Sequence, residues 1–133
     1  MKGIDPRPLI DDDSRSFWEG AREQRLMIQR CGDCGKAVFY PRCICPHCFS
    51  EKLSWIQASG RGRIHSYTVV HRALPPFKDQ TPYVVALIDL EEGVRMISRV
   101  VSDRRQVAID KPVSVVYVKV DDEVTLPCFE VSA

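Results

Sequence analysis

The sequence predicts a mainly β protein that begins with a short helix and continues into a small metal-binding ribbon. Two observations support this fold class. Five of the six cysteines fall in the eighteen residues from Cys31 to Cys48, and valine-rich segments separated by turn residues fill the chain after Trp55. Clustered cysteines are typical of a metal-stapled unit, and short strands without an intervening long helix are typical of a small barrel.

The composition is that of a globular protein. The chain has 133 residues, of which 44% are hydrophobic and 28% charged, and its formal net charge is +1. The first residues, MKGIDPRPLIDDDSRSF, lack the apolar run of a signal peptide, and no segment approaches the roughly 20 apolar residues of a membrane span. We therefore expect a cytoplasmic protein without a membrane partner, in which reduced thiols favour metal ligation over disulfides.

Two CxxC pairs predict a four-thiolate metal site. Cys31 with Cys34 and Cys45 with Cys48 have the spacing of two knuckles that close one tetrahedral site. Four thiolates leave no open coordination position, so the metal is expected to stabilise the fold rather than act as a Lewis acid. Zinc is the expected ion, and a rubredoxin-like iron, which accepts the same sulfur shell, is the alternative.

The remaining thiols and a nearby histidine have simpler interpretations. Cys43 could replace Cys45 as a ligand, although the CxxC spacing favours Cys45. His47 lies inside the second knuckle and is expected to be an exposed loop residue, and Cys128 is expected to be a small buried hydrophobe. A redox dithiol is disfavoured, because a redox CxxC is expected alone at the start of a helix in a βαβ unit.

The segment before the cysteines predicts a helix and a strand. Ser16 and Glu19 have the spacing of a capping box, which predicts a helix from about Ser14 to Gln24. The strand Leu26–Arg30 is then expected to lead into the first knuckle and to pair with Val38–Tyr40.

The carboxy-terminal part predicts a five-stranded OB-fold barrel, with an SH3-like barrel as the alternative. The predicted units are an N-terminal extension and helix over residues 1–30, a zinc ribbon over residues 31–54 and an OB-fold over residues 55–133. The expected barrel strands are Gly62–His71, Tyr83–Leu90, Val94–Val101, Val113–Val120 and Glu123–Val131.

One strand and one loop of the predicted barrel could bind a partner. Alternation along residues 94–100 places Arg95 and Arg99 on one face, which predicts a basic surface. The loop ALPPFKDQTPY is long for a hairpin and contains Phe77 and Tyr83. Such a loop suits a protein interface or an acyl-chain contact, and packing over the open end of the barrel is the alternative.

The sequence has few features of an independent enzyme. His65 and His71 are expected on the same side of one strand, where Asp89 or Glu91 could complete a general base. No phosphate loop, GxSxG elbow or HExxH helix is present. We therefore expect a chain that is not catalytic by itself.

Three segments resemble the DUF35 family, whose members combine a zinc ribbon with an OB-fold and are associated with acyl-CoA metabolism. They are FWEGAREQRLMIQRCGDCG, FYPRCICPHC and GRIHSYTVVHRALPPFKDQTPYVVALIDLEEGVRMISRV, and the resemblance extends over nearly the whole chain. Two positions depart from the family pattern. Phe49 follows the second knuckle where a glycine is common, and Asp110-Lys111 replaces a glycine often found before the last strands.

The resemblance implies a required, non-catalytic accessory subunit that docks on a thiolase-type catalytic subunit. It would help to form the CoA thioester channel for carbon–carbon bond cleavage or condensation. The same resemblance allows service to a MaoC-type enoyl-CoA hydratase or a lipid-transfer-protein-like aldolase. Arginine forks can clamp CoA phosphates and aromatic rings can line the acyl path. The candidate channel residues are Arg61, Arg63, Arg72, Phe77, Lys78, Tyr83, Arg95 and Arg99.

Nucleic-acid binding is the hypothesis from a different class, because zinc ribbons and OB-folds both occur in nucleic-acid-binding proteins. Such modules usually have a pI above about 9. The pI of this chain is about 7.6, and it has acidic runs at residues 11–13 and 121–123. Charge therefore disfavours a nucleic-acid partner.

Overall fold

The computed structural model describes residues 8–75 and 77–132. The start of the predicted N-terminal extension and Pro76 of the long loop lie outside the described residues. Short 3-10 turns lie at Lys78–Gln80 and Arg104–Gln106. The helix and strands are α1 Arg15–Arg22, β1 Met27–Cys31, β2 Ala37–Val38, β3 Leu53–Gln57, β4 Arg61–Val70, β5 Tyr83–Leu90, β6 Arg95–Val100, β7 Pro112–Lys119 and β8 Thr125–Val131.

Helix α1 begins differently from the predicted capping box. The Asp11 amide donates to Ser14 Oγ over 3.1 Å, and the Ser14 amide donates to Asp11 Oδ1 over 2.9 Å. Hydrogen bonding with the side chain and the amide of Ser14 also lowers the pKa of Asp11. The capping role assigned to Ser16 and Glu19 is wrong, because the helix has already begun at Arg15.

The metal-binding unit contains a three-stranded antiparallel sheet in the order β2-β1-β3. The predicted pairing of the first strand with the segment after the knuckle is confirmed at Gln29↔Val38. Strand β3 was not predicted, and it pairs with β1 from Met27↔Gln57 to Cys31↔Leu53. It crosses the predicted boundary between residues 54 and 55 and so links the sheet to the barrel.

The barrel is closed, with strand order β4-β5-β6-β8-β7 and β7 returning to β4. All five predicted barrel strands are present, with bounds that differ by only a few residues. The predicted alternation in β6 is confirmed, since Met96 and Val100 are buried while Arg95 is exposed. The larger of two hydrophobic clusters within the described residues includes α1, β1 and the barrel interior, with Phe17, Leu26, Ile28, Ile64, Ile88 and Phe129 among its most buried side chains.

Within the described ranges, no helix is long and apolar enough to cross a membrane.

Candidate metal centre and apolar groove

The four cysteines of the two CxxC pairs meet at one point. Their sulfur atoms all lie within 4.8 Å of one another. Cys31 Sγ is 3.5 Å from Cys48 Sγ, and Cys34 Sγ is 3.7 Å from Cys45 Sγ. A tetrahedron with metal–sulfur bonds of about 2.3 Å has edges of roughly 3.8 Å, so these separations suit one tetrahedral ion.

Backbone and side-chain contacts hold both knuckles in shape. The Cys34 amide donates to Cys31 Sγ, and the His47 amide donates to Cys45 Sγ, each over 3.4 Å. Ser50 after the second knuckle donates its hydroxyl to Asp33 of the first. These contacts orient the sulfur atoms towards one another, as the hydrogen bonds around an ordered metal site do.

The electrostatics of the cluster also favour a cation. The Cys34 amide, helped by that of Asp33, lowers the pKa of Cys31 to about 6 against the effect of burial. At Cys48 the Ser50 amide lowers the pKa, but burial and the neighbouring thiols outweigh it and raise the pKa to about 12. Without a positive charge the four thiols resist full ionisation together, so this donor set is suited to a structural metal ion.

The other thiols lie outside the cluster. Cys43 is exposed and is not among the four converging sulfurs. His47 is exposed, as predicted. Cys128 is buried in β8, as predicted, and burial raises the pKa of its thiol.

Three candidate channel arginines are already engaged at one end of the barrel. Arg61 forms an ion pair with Glu91 at 2.9 Å, and Arg95 forms one with Asp89 at 2.6 Å. Arg63 Nη1 donates to the Asp110 carbonyl oxygen over 3.0 Å. Asp89 pairs in register with both Arg63 and Arg95, so a carboxylate lies beside Arg95 on the face predicted to be basic.

Three other candidates come together near the opposite end of the same strands. The Arg99 guanidinium carbon lies 4.2 Å from the centre of the Tyr83 ring and 5.9 Å from that of Phe77. Arg99 Nη1 also donates to Gln80 Oε1. Arg72 and Lys78 lie close to these residues in the sequence, and both are exposed. Within the described residues, neither side chain forms an ion pair.

An apolar cavity of about 570 Å³ lies between α1, the segment after β2 and the barrel strands β6 and β8. Sequence reasoning missed it, because its walls come from elements far apart in the chain. We call this cavity the groove. Its walls include Phe17, Trp18, Tyr40, Ile97, Val118 and Leu126, and Arg99 also lines it.

The histidines do not form the predicted general base as a pair. His65 Nδ1 is 3.4 Å from Asp89 Oδ2, but Arg95 Nη2 lies 3.2 Å from the same ring nitrogen. A register shift between Ile64 and Ser66 makes His65 a bulge residue. The bulge interrupts the alternation along β4, and the strand ends at Val70, before His71, so the strand spacing from which a common side was predicted does not apply.

Comparison with known proteins agrees with this geometry. Residues 18–54 match the family described as "ChsH2, rubredoxin-like zinc ribbon domain", and residues 55–126 match "ChsH2, C-terminal OB-fold domain". A "DUF35 domain-containing scaffold protein" of Methanothermobacter thermautotrophicus is 44% identical over 117 residues, which are 86% of this chain and 88% of the relative. The chain belongs to the DUF35 family.

Other DUF35 relatives are named as subunits of enzymes. A "probable enoyl-CoA hydratase alpha subunit" of Thermomonospora curvata is 38% identical over 96% of this chain, which spans 40% of that relative's length. A more distant relative, "benzoylsuccinyl-CoA thiolase subunit BbsA" of Geobacter metallireducens, is 30% identical over 53% of this chain and 46% of its own.

A solved structure named "Ltp2-ChsH2(DUF35) aldolase" contains a chain with the same fold. The TM-score is 0.86 at 37% identity, with 96% of this chain and all of the other chain covered. The OB-fold prediction is therefore confirmed over the SH3-like alternative.

Proposed function

We propose that this DUF35 protein is a non-catalytic accessory subunit of an acyl-CoA thiolase-type complex. It docks on the catalytic subunit and helps to form the CoA thioester channel for carbon–carbon bond cleavage or condensation in the cytoplasm. The observation that supports this most directly is the groove, an open cavity lined mainly by aromatic and aliphatic side chains, which suits contact with a partner protein or an acyl chain. The names of the relatives as scaffold proteins and enzyme subunits support the same role.

Zinc is the metal proposed for the four-cysteine cluster. Cys31, Cys34, Cys45 and Cys48 would hold it, and a closed shell of four thiolates supplies stability to the fold rather than a reactive position. The description of the matching family as a zinc ribbon supports zinc over iron.

The residues proposed to contact CoA fall into two groups, those without an ion pair and those that already have a partner within the chain. Arg72 and Lys78 are exposed cations with no ion pair among the described residues, so they can bind phosphate groups without breaking an existing contact. Phe77 and Tyr83, whose ring centres are 6.3 Å apart, would form the wall beside them. Arg61, Arg63 and Arg95 are weaker candidates, because phosphate would have to compete with partners that they already have.

A second candidate function is the same accessory role on a MaoC-type hydratase or a lipid-transfer-protein-like aldolase. The aldolase is favoured by the TM-score of 0.86 to the chain from an aldolase complex, and the hydratase by the relative from Thermomonospora curvata. Nucleic-acid binding has less support, since Arg61 and Arg95 are neutralised by carboxylates.

Co-expression tests the proposal. The tagged chain is expressed with thiolase-type, aldolase-type and hydratase-type subunits encoded beside it in its genome, and each eluate is assayed for thiolysis, retro-aldol cleavage and hydration. We expect a stable complex with the thiolase-type subunit that cleaves a CoA thioester. A complex with only the aldolase or hydratase subunit would favour the second candidate function. Purification of the chain alone, bound to nucleic acid, would contradict the accessory role.

The CoA contacts are tested within that complex. The double variant Arg72→Gln/Lys78→Gln removes both positive charges. It should raise KM for the thioester about tenfold for each lost phosphate contact and leave kcat unchanged. Arg61→Gln is the matched control, because the Arg61 guanidinium already forms an ion pair with Glu91. The KM of this variant should stay near that of the wild type. Equal effects of the two changes would contradict the proposed channel.

A further inference from the structure

The groove gathers exposed apolar side chains around one cavity. Five of its lining residues are large hydrophobics with exposed side chains, and Ile97 is the most exposed of them at 65%. They are Tyr40, Ile97, Val101, Val118 and Val120. Exposed apolar side chains that stand singly are ordinary, whereas a cluster around one cavity marks an interaction surface.

The composition of the groove is that of the centre of a protein interface. Its described walls contain aromatic rings, aliphatic side chains and Met96, and Arg99 is the one charged residue among them. Aromatic residues, methionine and arginine are enriched at the centres of interfaces, and lysine, aspartate and glutamate are depleted there. The walls therefore suit a protein partner.

The exposure of the walls also favours a protein over a small ligand. A small-ligand pocket encloses roughly 70–90% of the surface of its ligand. Even the least exposed of the five side chains, Tyr40, is 39% exposed. A small molecule on these walls would remain in contact with water, whereas a second protein would cover them.

Arg99 joins the groove to a second, smaller cavity. This cavity has a volume of about 380 Å³ and shares Arg99 and Val101 with the groove, and Tyr83 and Arg104 also line it. We call the place where the two cavities meet the junction. The Arg99 guanidinium is held there by its stacking on Tyr83 and its hydrogen bond to Gln80, so little side-chain freedom remains to be lost on binding.

The junction has a positive charge without a carboxylate to match it. Neither Arg99 nor Arg104 forms an ion pair within the described residues. Asp103 also lines the smaller cavity, but its carboxylate already pairs with Arg105 at 2.9 Å. A partner that covers the groove would therefore gain from placing an acidic side chain at the junction.

We propose that the groove and the junction receive a surface segment of the catalytic subunit that carries a large apolar side chain beside a carboxylate. The apolar side chain enters the groove, and the carboxylate lies between Arg99 and Arg104. The apolar contact provides most of the affinity, and the charge pair orients the segment and speeds association. The inference rests on the proposed function, because it identifies the surface by which the accessory subunit docks.

Two isoleucines of nearly equal exposure test the apolar contact. Ile97→Gln places an amide in the groove, and Ile109→Gln is the matched control, because Ile109 is 63% exposed and lines neither cavity. We expect Ile97→Gln to raise the dissociation constant for the catalytic subunit at least about tenfold and Ile109→Gln to leave it near the wild-type value. Titration calorimetry without thioester measures both constants, and thermal melting with metal analysis confirms that each variant is folded. Equal constants would overturn the inference.

Two arginines of β6 test the charged contact in the same titration. Arg99→Gln removes a cation from the junction, and Arg95→Gln is the matched control, because Arg95 already pairs with Asp89. We expect Arg99→Gln to weaken the complex at least about tenfold more than Arg95→Gln. Raising the salt concentration from about 0.05 to 0.5 M should weaken the Arg99→Gln complex at least about threefold less than the wild-type complex. An unchanged salt dependence would overturn the carboxylate contact.

Other occupants of the groove have distinct outcomes. If the wild-type chain alone forms a dimer that Ile97→Gln abolishes, the groove binds a second copy and the inference is overturned. If a CoA thioester binds the isolated chain and Ile97→Gln abolishes that binding, the groove belongs to the small ligand, which also overturns it. A complex with the catalytic subunit that is insensitive to Ile97 and Arg99 would overturn the inference and leave the proposed function standing. Absence of any complex with the wild-type chain would overturn both.

Discussion

The indole Nε1–H of Trp18 donates to the hydroxyl oxygen of Tyr40 over 3.1 Å, and this bond joins α1 to the segment after β2. Phe17 packs against both partners, with ring centres 4.8 Å from Trp18 and 5.8 Å from Tyr40. Trp18 and Tyr40 also line the groove. The hydrogen bond therefore holds together the part of the groove wall that comes from the helix and the part that comes from the metal-binding unit.

Removing the hydroxyl of Tyr40 should destabilise the protein. The change Tyr40→Phe leaves the indole N–H of Trp18, which is 8% exposed, without its partner, and we expect a loss of about 1 kcal/mol in the free energy of unfolding. Urea denaturation measures the change. Tyr67→Phe is the matched control, because Tyr67 is similarly exposed at 40% and its hydroxyl has no hydrogen bond within the described residues. Equal losses at both positions would contradict the assigned bond.

The metal should depend on the four converging cysteines and not on the fifth cysteine nearby. We expect Cys34→Ser to lower the metal content from about one ion per chain to a small fraction of that and to unfold the ribbon, because a closed thiolate site contributes directly to folding. Cys43→Ser should retain both metal and fold. Elemental analysis with circular dichroism measures both, and metal loss in the Cys43 variant would show that the ligand set is wrong.

The metal site and the barrel could be predicted from sequence because their signals are local. Two CxxC pairs specify four ligands by spacing alone, and each barrel strand shows its own valine-rich run. Strand β3 was missed because its pairing with β1 joins segments more than 20 residues apart. The groove was missed for the same reason, since its walls come from α1, the segment after β2 and the barrel strands.

The two departures from the DUF35 pattern both occupy left-handed backbone. Phe49 has φ of +64° and Asp110 has φ of +68°, the region that favours the glycine common there in the family. Asp tolerates this conformation better than Phe, because its short side chain can hydrogen-bond locally. Both residues therefore occupy a backbone conformation that glycine adopts at lower cost.

Restoring glycine at the second knuckle should stabilise the protein. The Phe49 side chain is 80% exposed, so Phe49→Gly removes little packing and relieves left-handed strain worth about 1 kcal/mol. Phe49→Ala removes the same ring and keeps the strain, so it should gain little. Denaturant midpoints of the two variants provide the comparison. A gain in the alanine variant equal to that in the glycine variant would contradict the strain.

The Asp103 carboxylate should titrate well below the ordinary range. Hydrogen bonds from the Arg105 side chain and amide lower the pKa of Asp103 to about 2 from an ordinary 3.8. Because the folded pKa is the lower one, the stabilisation from this pair is complete above about pH 4 and is lost as the pH falls through about 2. NMR titration of the carboxyl carbon measures the midpoint.

Arginine variants identify the cause of that shift. Arg105→Gln should raise the pKa of Asp103 towards 3.8, whereas Arg104→Gln, which removes only a weaker charge interaction, should raise it less. An unchanged midpoint in the Arg105 variant would contradict the assigned pair.

The most direct test of the accessory role is turnover of a CoA thioester by this chain alone, by the thiolase-type subunit alone and by the two mixed at increasing ratios. If the chain is a non-catalytic subunit, activity appears only in the mixture and saturates at a fixed stoichiometry. Turnover by the isolated chain, or full activity of the catalytic subunit without it, would contradict the account.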